Sequence, residues 1–198
     1  MKKKPALTTA DLVLLSLLAE QPMHGYQANA ELERREVRDW AGISRPQIYY
    51  SLEKLARLGL LRSAKSGKPA EGPERASFAI TARGKTSLAD ALERNDWTSQ
   101  RDRPAFLTWM SLSWRTRKGI FAKQLVRREE FLKRELKRER ATLASVLEEV
   151  GHANHEAVWM VKLMIAHFET EIRWLAMVRR QAPRRAAAKH PALVPANS

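Results

Sequence analysis

The order of the predicted elements over the first ninety residues constrains the fold of this chain more than any other feature. Three helical segments come first, followed by two strand-like segments around a Gly/Pro-rich loop and then by a fourth helix. Thr8, or its neighbour Thr9, can cap the first helix, and Asp11 stands three residues after Thr8, as a capping box requires. Gln21-Pro22 ends that helix. A second helix at about 25–35 is predicted to turn three residues inward: Tyr26, Ala30 and Leu32.

The third helix, which opens at Ser44, has the clearest boundaries in the sequence. Ser44 and Gln47 form an S-x-x-Q capping box, and Pro46 stands in the first turn, where its missing N–H is harmless. Gly59 is placed to end the helix. The apolar side carries Ile48, Leu52 and Leu55, whereas the polar side carries Gln47, Tyr50, Lys54 and Arg57.

The strand-like segments 60–63 and 76–80 flank a polar loop and predict a hairpin with a long tip. Thr81 then caps the fourth helix, ARGKTSLADALERND. This order of elements predicts a mainly helical fold that begins with a winged helix-turn-helix domain: three helices, a two-stranded wing and a linking helix. In that geometry the first residues of the third helix enter the major groove of double-stranded DNA.

The polar side of the third helix suits DNA chemically. Gln is a bidentate partner of adenine, and Lys or Arg is a partner of guanine or phosphate. An ordinary solvated helix face is the competing interpretation. In the wing loop, Lys65, Lys68 and Arg75 are candidate phosphate contacts, but Glu71 and Glu74 reduce the net charge there, so a merely flexible hairpin is the alternative.

The charge balance favours a polyanionic partner. The chain has 36 Lys and Arg residues against 22 Asp and Glu residues, a formal net charge of +14. Residues 98–198 hold twenty of the cations and only ten of the anions. A basic composition inherited from an arginine-rich genome is the alternative explanation. The basic run 115–140 also contains four glutamates at spacings that allow ion pairs along the helix, which favours a solvated face over a DNA contact.

Several classes of protein are disfavoured. The absence of cysteine excludes disulfides, thiolate catalysis and cysteine zinc sites, and fits a cytoplasmic setting. No apolar run is long enough to cross a bilayer, and the basic start is followed by no cleavage site for secretion. His152 and His155 lack a third metal ligand at a recognisable distance. No catalytic motif is present, so neither an enzyme nor a cofactor is expected.

Four pieces of sequence resemble the PadR family of bacterial transcriptional regulators. They cover residues 9–92 and are Pro22-Met23-His24-Gly25-Tyr26, Ser44 with Gln47-Ile48-Tyr49, Leu55 with Leu58-Gly59-Leu60, and Ile80-Thr81 with Gly84. The resemblance implies a winged helix, a C-terminal helical dimerisation region, and a repressor of imperfect palindromes. It also implies that Ser44, Gln47 and Tyr49 lie at the DNA. Phe78, Tyr50 and Pro46 depart from the family pattern and leave the base sequence that is read open.

Two further residues complete the set of candidate DNA contacts: Tyr26 and Arg45. Tyr49 stands at the edge of the apolar side of its helix, so a packed ring is as reasonable an interpretation as a phosphate contact. Ser44 is a helix cap first, and any contact with DNA is additional.

The second half of the chain is predicted to be purely helical from Pro104. A heptad pattern runs from Leu125 to Val150, Gly151 breaks it, and a last helix repeats the spacing from Val158 to Leu175. The pattern predicts an antiparallel hairpin that pairs with a second copy, similar to the C-terminal region of PadR relatives of the virulence activator type. The candidate dimerisation residues are Leu125, Leu132, Leu136, Leu143, Val158, Ile165, Phe168 and Ile172. A monomer whose hairpin folds back on its own winged helix is the alternative.

Four tryptophans invite an aromatic effector pocket, although tryptophans at helical spacing more often belong to a core: Trp97, Trp109, Trp114 and Trp159. The sequence therefore predicts a DNA-binding domain at 1–97, a helical dimerisation domain at 98–182 and a disordered tail at 183–198. The predicted function is that of a cytoplasmic, homodimeric repressor that binds a palindromic operator and is released by a small, aromatic effector. A ligand-independent activator or architectural DNA-binding protein and a helical protein-interaction module are the alternatives.

Overall fold

The computed structural model describes residues 7–64, 77–99 and 104–187. The chain divides into two compact units, Met1–Arg101 and Asp102–Ser198. Within the described part of the chain, no helix combines the length and the apolar character that a membrane span requires.

The first unit has the winged-helix order that the sequence predicts, with two short additions. Its elements are α1 (Thr9–Glu20), β1 (Met23–His24), α2 (Gly25–Arg34), α3 (Val37–Ala41), α4 (Arg45–Arg57), β2 (Leu61–Ala64), β3 (Ser77–Ile80), α5 (Ala82–Leu92) and a 3-10 turn (Asn95–Thr98). The additions are β1 and α3. A strand of two residues and a helix of five are both too short to show a period of 2 or 3.6 in the sequence.

The predicted helix caps are confirmed. The Thr8 N–H donates to Asp11 Oδ2 at 2.7 Å, and the Asp11 N–H donates to Thr8 Oγ1 at 3.3 Å. At the start of α5, the Gly84 N–H donates to Thr81 Oγ1 at 3.0 Å. Each side chain satisfies a backbone group that a helix end would otherwise leave without a partner.

One core holds the first unit together. The apolar side of α4 packs against α1, and both pack against the sheet. The fully buried large side chains are Leu14, Leu15, Leu18, Leu32, Ile48, Leu52 and Leu55. The apolar side predicted for α4 is therefore confirmed.

The inward side predicted for α2 is partly wrong. Leu32 is buried, but Ala30 is exposed and Tyr26 is 52% exposed. The helix begins at Gly25 and buries Gly25, Ala28, Asn29 and Leu32, which lie at spacings of three and four. Tyr26 and Ala30 each lie one residue, or about 100°, beyond that face.

The sheet has three antiparallel strands in the order β1-β3-β2, one more than the predicted two-stranded wing. Leu61 pairs with Ile80, and Met23 of β1 pairs with Phe78 of β3. Phe78 and Met23 are both buried, so the added strand closes the core on the side of the sheet away from β2.

Two glycines fix the joint between α4, the sheet and α5. Gly59 adopts a φ of +68°, and the N–H of Leu60 donates to the carbonyl of Leu55, which ends α4 as predicted. Gly84 lies so close to the same turn that an added Cβ would be 2.2 Å from the Leu60 carbonyl oxygen. The linking helix therefore approaches the end of α4 at backbone contact.

The second unit is built on a long hairpin. Its elements are α6 (Ala105–Leu112), a 3-10 turn (Ser113–Arg115), α7 (Ile120–Val150), α8 (Glu156–Gln181) and a final 3-10 turn (Ala182–Arg184). Glu129 of α7 pairs with Arg179 of α8, and Arg140, further along α7, pairs with Glu169, earlier in α8. The two helices are thus antiparallel, as the heptad spacing predicts.

The predicted tail at 183–198 is partly wrong. Pro183 lies in the last 3-10 turn, and the guanidinium of Arg185 lies 3.8 Å from the ring centroid of Phe121. Arg185 Nη2 also donates to Ser113 Oγ at 3.1 Å. A cation over an aromatic ring explains why the chain stays packed to this point. Residues 188–198 lie outside the described residues.

Candidate nucleic-acid interface

The exposed side of α4 is the surface that the sequence predicts to bind DNA. Ile48, Leu52 and Leu55 anchor the opposite side of the helix in the core. The exposed residues of the helix and its cap are Ser44, Arg45, Pro46, Gln47, Tyr50, Glu53 and Arg57. A rigidly anchored helix with a polar, outward side is what insertion into a groove requires.

The cap of α4 fixes the side chain of Gln47. Its Oε1 atom accepts hydrogen bonds from the Ser44 N–H at 2.7 Å and from Ser44 Oγ at 2.8 Å. Because the cap uses the oxygen of the amide, the NH2 group is the part of Gln47 that remains for a partner. While the cap is intact, Gln47 therefore acts as a donor and not as the bidentate adenine partner considered from the sequence.

Lys54 is committed to a partner inside the domain. Its Nζ lies 2.5 Å from Asp11 Oδ2, and the Asp11 side chain is completely buried. Burial alone would raise the pKa of the Asp11 carboxyl, but hydrogen bonds from Lys54 and Thr8 outweigh it and hold that pKa below its usual range. The pair needs both charges, so Lys54 is an internal ion-pair partner before it is a DNA contact.

Two tyrosines among the candidate contacts have different surroundings. The Tyr49 ring packs against the core, and its hydroxyl is buried and has no hydrogen-bond partner among the described residues. It cannot reach a phosphate unless the ring moves. Tyr26 is exposed at the start of α2, where its ring stacks on His24 at a centroid distance of 5.7 Å.

Glu53 is a residue of this surface that the sequence reasoning missed. It is exposed and, at 100° per residue, lies on the same side of α4 as Tyr50 and Arg57. A helical wheel of the whole segment would have shown it. A carboxylate here repels phosphates, and cytosine N4 is the base donor it can accept from.

An ion-pair network joins the helices that precede α4. Arg35 donates to Glu20 at the end of α1 through two nitrogens, at 2.6 and 2.7 Å, and to Glu31 of α2 at 2.7 Å. Hydrogen bonds from Arg34 and then Arg35 lower the pKa of Glu31 to about 2. The network links α1 to α2 at the surface of the first unit, to which α4 also belongs.

The remaining candidates for DNA contact fall into two groups. Arg45 and Arg57 are exposed at opposite ends of α4. The wing residues Lys65, Lys68 and Arg75 lie outside the described residues.

The eight candidate dimerisation residues differ in how far their own chain buries them. Leu125, Leu132 and Val158 are completely buried by their own chain, so a second chain cannot reach them. The other five are partly buried in the same chain: Leu136, Leu143, Ile165, Phe168 and Ile172. The side of α8 that stays exposed carries Trp159, Met160, Leu163 and Met164.

The four candidate tryptophans have different local surroundings. Trp97 belongs to the first unit and donates to the Ala91 carbonyl at 2.7 Å. Trp109 stacks between Phe106 and Phe121 in the second unit, with centroid distances of 5.2 and 5.7 Å. Trp159 is exposed on α8. Trp114 alone of the four lines a cavity of about 610 Å³ near the end of α8.

The helices of the first unit, its antiparallel sheet and the capped, outward-facing α4 define a winged helix-turn-helix domain. Residues 14–90 match the family model described as "Transcriptional regulator PadR-like family", and the chain carries a PadR-like domain over those residues. The family that this model describes is one of transcriptional regulators. No match was found among the curated proteins.

Solved structures resemble the chain over most of its length. Bacillus subtilis PadR in complex with operator DNA is 16% identical with a TM-score of 0.70, and the match covers 89% of this chain and 98% of that one. Bacillus subtilis PadR in complex with p-coumaric acid is 15% identical with a TM-score of 0.66, covering 91% and 98%. The PadR-like transcriptional regulator BC1756 from Bacillus cereus is 18% identical with a TM-score of 0.59, covering 88% and 98%. At these identities, the likeness is one of fold.

Proposed function

We propose that the protein is a homodimeric transcriptional repressor that binds a palindromic operator through α4. One observation carries the proposal: a helix anchored by three buried apolar residues presents Arg45, Gln47, Tyr50 and Arg57 to solvent. Base choice comes from the first turn of α4, where Gln47 lies, and affinity comes largely from cations on phosphates. The operator-bound PadR structure supports the proposal, because its fold is shared.

Two copies of the chain explain how so short a helix specifies a site. One reading helix contacts few bases, whereas a two-fold pair reads two half-sites about 34–36 Å apart. The exposed apolar side of α8 supports pairing. Trp159 and Leu163 are 54% and 56% exposed, and Met160 and Met164 lie beside them. Contiguous apolar surface of this kind usually marks a protein interface.

A small effector completes the proposal. The effector binds in the second unit and causes the protein to release the operator. Because the operator is part of the chromosome, the protein acts in the cytoplasm. The relative bound to p-coumaric acid supports a small-molecule ligand for this fold. Because half-sites are read at a fixed separation, a small change in the spacing of two α4 helices is enough to weaken binding.

The decisive experiment measures binding to fragments of the gene's own promoter region against scrambled DNA of equal length. Full-length protein is titrated against both by fluorescence anisotropy, and footprinting then locates the site. We expect preference for one fragment, two protected half-sites and a loss of about 1–3 kcal/mol for Gln47→Ala. Equal binding of promoter and scrambled DNA by the wild type would reject a sequence-specific regulator.

The alternative is a ligand-independent architectural DNA-binding protein, and the net charge of +14 favours it. It predicts a steep salt dependence, little sequence preference and no response to effectors. A helical protein-interaction module is the other alternative. It predicts that Gln47→Ala leaves all activity intact, so the same titration separates the three.

A further inference from the structure

The long helix α7 carries a row of exposed cations on the side that faces away from α8. This row, the basic stripe, consists of Lys123, Arg127, Arg134 and Lys137. At 100° per residue the four lie within about 80° of one another. They lie opposite Leu132, which is buried in one cluster with Leu175 of α8. At 1.5 Å per residue the stripe spans about 21 Å along the helix.

The four cations of the basic stripe have no carboxylate partner among the described residues. Elsewhere in the same hairpin such partners are present, since Arg128 donates to both oxygens of Glu171 at 2.8 and 2.9 Å. Lys123 and Arg127 are four residues apart, and like charges at that spacing on a helix repel each other. The hairpin alone therefore gains nothing from the arrangement, whereas a negatively charged partner would relieve the repulsion.

The carboxylates that follow the stripe along α7 are mostly occupied inside the hairpin. Glu129 is 8% exposed and accepts a hydrogen bond from Arg179 of α8. Glu135 and Glu139 lie 3.4 and 4.0 Å from Nη2 of Arg138. Three of the four glutamates in this part of the sequence are thus engaged with other cations and do not neutralise the basic stripe.

Glu130 is the remaining glutamate, and it lies exposed on the same side of α7 as the basic stripe. Four cations and one carboxylate leave this side with a formal net charge of +3. The phosphates of one DNA strand follow each other at about 3.4 Å along the helix axis, so a stripe of about 21 Å covers roughly six of them. Lysine and arginine bind phosphates without reading bases, and the four cations of the stripe are of these two types.

We propose that the basic stripe of α7 is a second DNA-contact surface, which binds duplex phosphates independently of base sequence. It lies in the helical unit, separate from the winged helix that carries α4. The winged helix supplies base choice, and the stripe adds affinity. That the polyanion is DNA rests on the proposed function, whereas the stripe itself is defined by the charges and exposure of α7.

The experiment uses the full-length protein and a stripe variant that combines Lys123→Gln, Arg127→Gln, Arg134→Gln and Lys137→Gln. Glutamine is nearly as good a helix former as lysine and arginine. Anisotropy titrations over a range of salt concentrations use the promoter fragment and scrambled DNA of equal length. We expect the slope of log affinity against log salt to fall by about two to four for each bound chain. Affinity at about 0.1 M salt should fall at least tenfold for both DNAs, so the preference for the promoter is retained.

The matched control removes the same charge from exposed cations of the same unit that lie off the stripe: Arg117→Gln, Lys118→Gln, Lys162→Gln and Arg180→Gln. Its salt slope should fall by less than about one. Circular dichroism and sedimentation velocity establish that both variants keep the fold and association state of the wild type. Equal losses in the two variants, or an unchanged slope in the stripe variant, would overturn the stripe as a contact surface.

Glu130→Gln is a second test, and it decides the matter if the stripe variant does not fold. Removing the one negative charge on this side of α7 should strengthen binding to both DNAs by about three- to tenfold at low salt. Glu156→Gln, an exposed carboxylate at the start of α8, is its control. Equal affinities of Glu130→Gln and Glu156→Gln would count against the stripe.

The failure of the stripe and the failure of the proposed function give different results. If wild type binds promoter and scrambled DNA equally and the stripe variant still loses affinity, specific regulation is rejected and the stripe stands. If wild type prefers the promoter and the stripe variant binds as tightly, the function stands and the stripe is rejected. Vesicles of phosphatidylglycerol and phosphatidylcholine test the competing partner. Vesicle binding that needs the stripe, with unchanged DNA affinity, would assign the stripe to a membrane surface and overturn its contact with DNA.

Discussion

Lys54 of α4 donates to the buried carboxylate of Asp11 in α1, with an Nζ–Oδ2 distance of 2.5 Å. The same Oδ2 atom accepts the N–H of Thr8 and caps α1. The ion pair therefore ties the orientation of the proposed reading helix to the first turn of the domain, and it engages a lysine that the sequence predicts to contact DNA.

Lys54→Met should destabilise the first unit by about 3 kcal/mol, because it leaves a buried carboxylate without its counter-charge. It should not change the dependence of DNA affinity on salt. Urea unfolding and anisotropy titrations at several salt concentrations measure the two effects. Arg57→Met is the matched control on the same helix, and should leave stability unchanged while reducing the salt slope by about one. A reduced slope for Lys54→Met would restore it as a phosphate contact.

Acid should weaken the domain in a defined window. The pKa of Glu31 is about 2 in the folded protein and lies below the ordinary value of 4.5. The stabilisation that it gives is therefore complete above about pH 4.5 and is lost as the pH falls towards 2. Glu31→Gln should flatten the decline of the unfolding free energy across this window. Glu53→Gln serves as the control, and an equal flattening by both variants would contradict the role of the Arg34 and Arg35 pairs.

Glu53→Gln should strengthen DNA binding by roughly three- to tenfold at low salt, since it removes a negative charge from the surface that faces phosphates. The gain should extend to scrambled DNA, because a phosphate effect does not depend on sequence. Anisotropy titrations with both DNAs measure it. Glu156→Gln, an exposed carboxylate at the start of α8, is the control. Weaker operator binding by Glu53→Gln would instead show that the carboxylate reads a base.

Leu163→Glu should convert the protein to a monomer, because it places a charge in the exposed apolar side of α8. Operator affinity should fall with it. Sedimentation velocity measures the association state. Lys162→Glu, at the neighbouring exposed position, controls for the charge change. By contrast, Leu132→Ala should cost about 3 kcal/mol of stability without dissociating the pair, since Leu132 packs inside one hairpin.

Gly84→Ala should destabilise the first unit by about 2–3 kcal/mol, although alanine is ordinarily the better helix former. The new Cβ would meet the Leu60 carbonyl oxygen at 2.2 Å and Ile80 Cγ1 at 2.8 Å. Thermal unfolding measures the change. Lys85→Ala, exposed on the same helix, should have little effect. An unchanged or raised melting temperature for Gly84→Ala would show that α5 can shift away without cost.

Local signals in the sequence were enough to predict much of the first unit. The boxes at Thr8 and Ser44 and the glycine at 59 act within a few residues, so the sequence shows them directly. The strand β1 and the pairing of Lys54 with Asp11 depend on residues that are 43 or more positions apart. Such contacts are set by packing, which no periodic pattern records.

The second unit shows a different limit of the sequence. Two long helices joined by a short link predicted an antiparallel hairpin correctly, but the heptad spacing does not say whether the apolar side of each helix faces the same chain or another one. The glutamate at seam position 129 is explained only by the structure, where Arg179 of α8 and Lys133 both donate to it. The buried charge of Glu129 at a heptad position therefore indicates that α7 pairs with a helix of the same chain.

The packing of Arg185 has a practical consequence for anyone who shortens this protein. Ending the chain at Gln181 would strip the guanidinium from Phe121 and uncover one end of the ring series Phe106, Trp109 and Phe121. Aromatic side chains that become exposed to solvent in this way promote aggregation at the protein concentrations that crystallography and NMR need. Ending the chain at Ala187 keeps the Arg185 side chain over the Phe121 ring. The six residues 182–187 therefore decide whether a shortened protein resists aggregation.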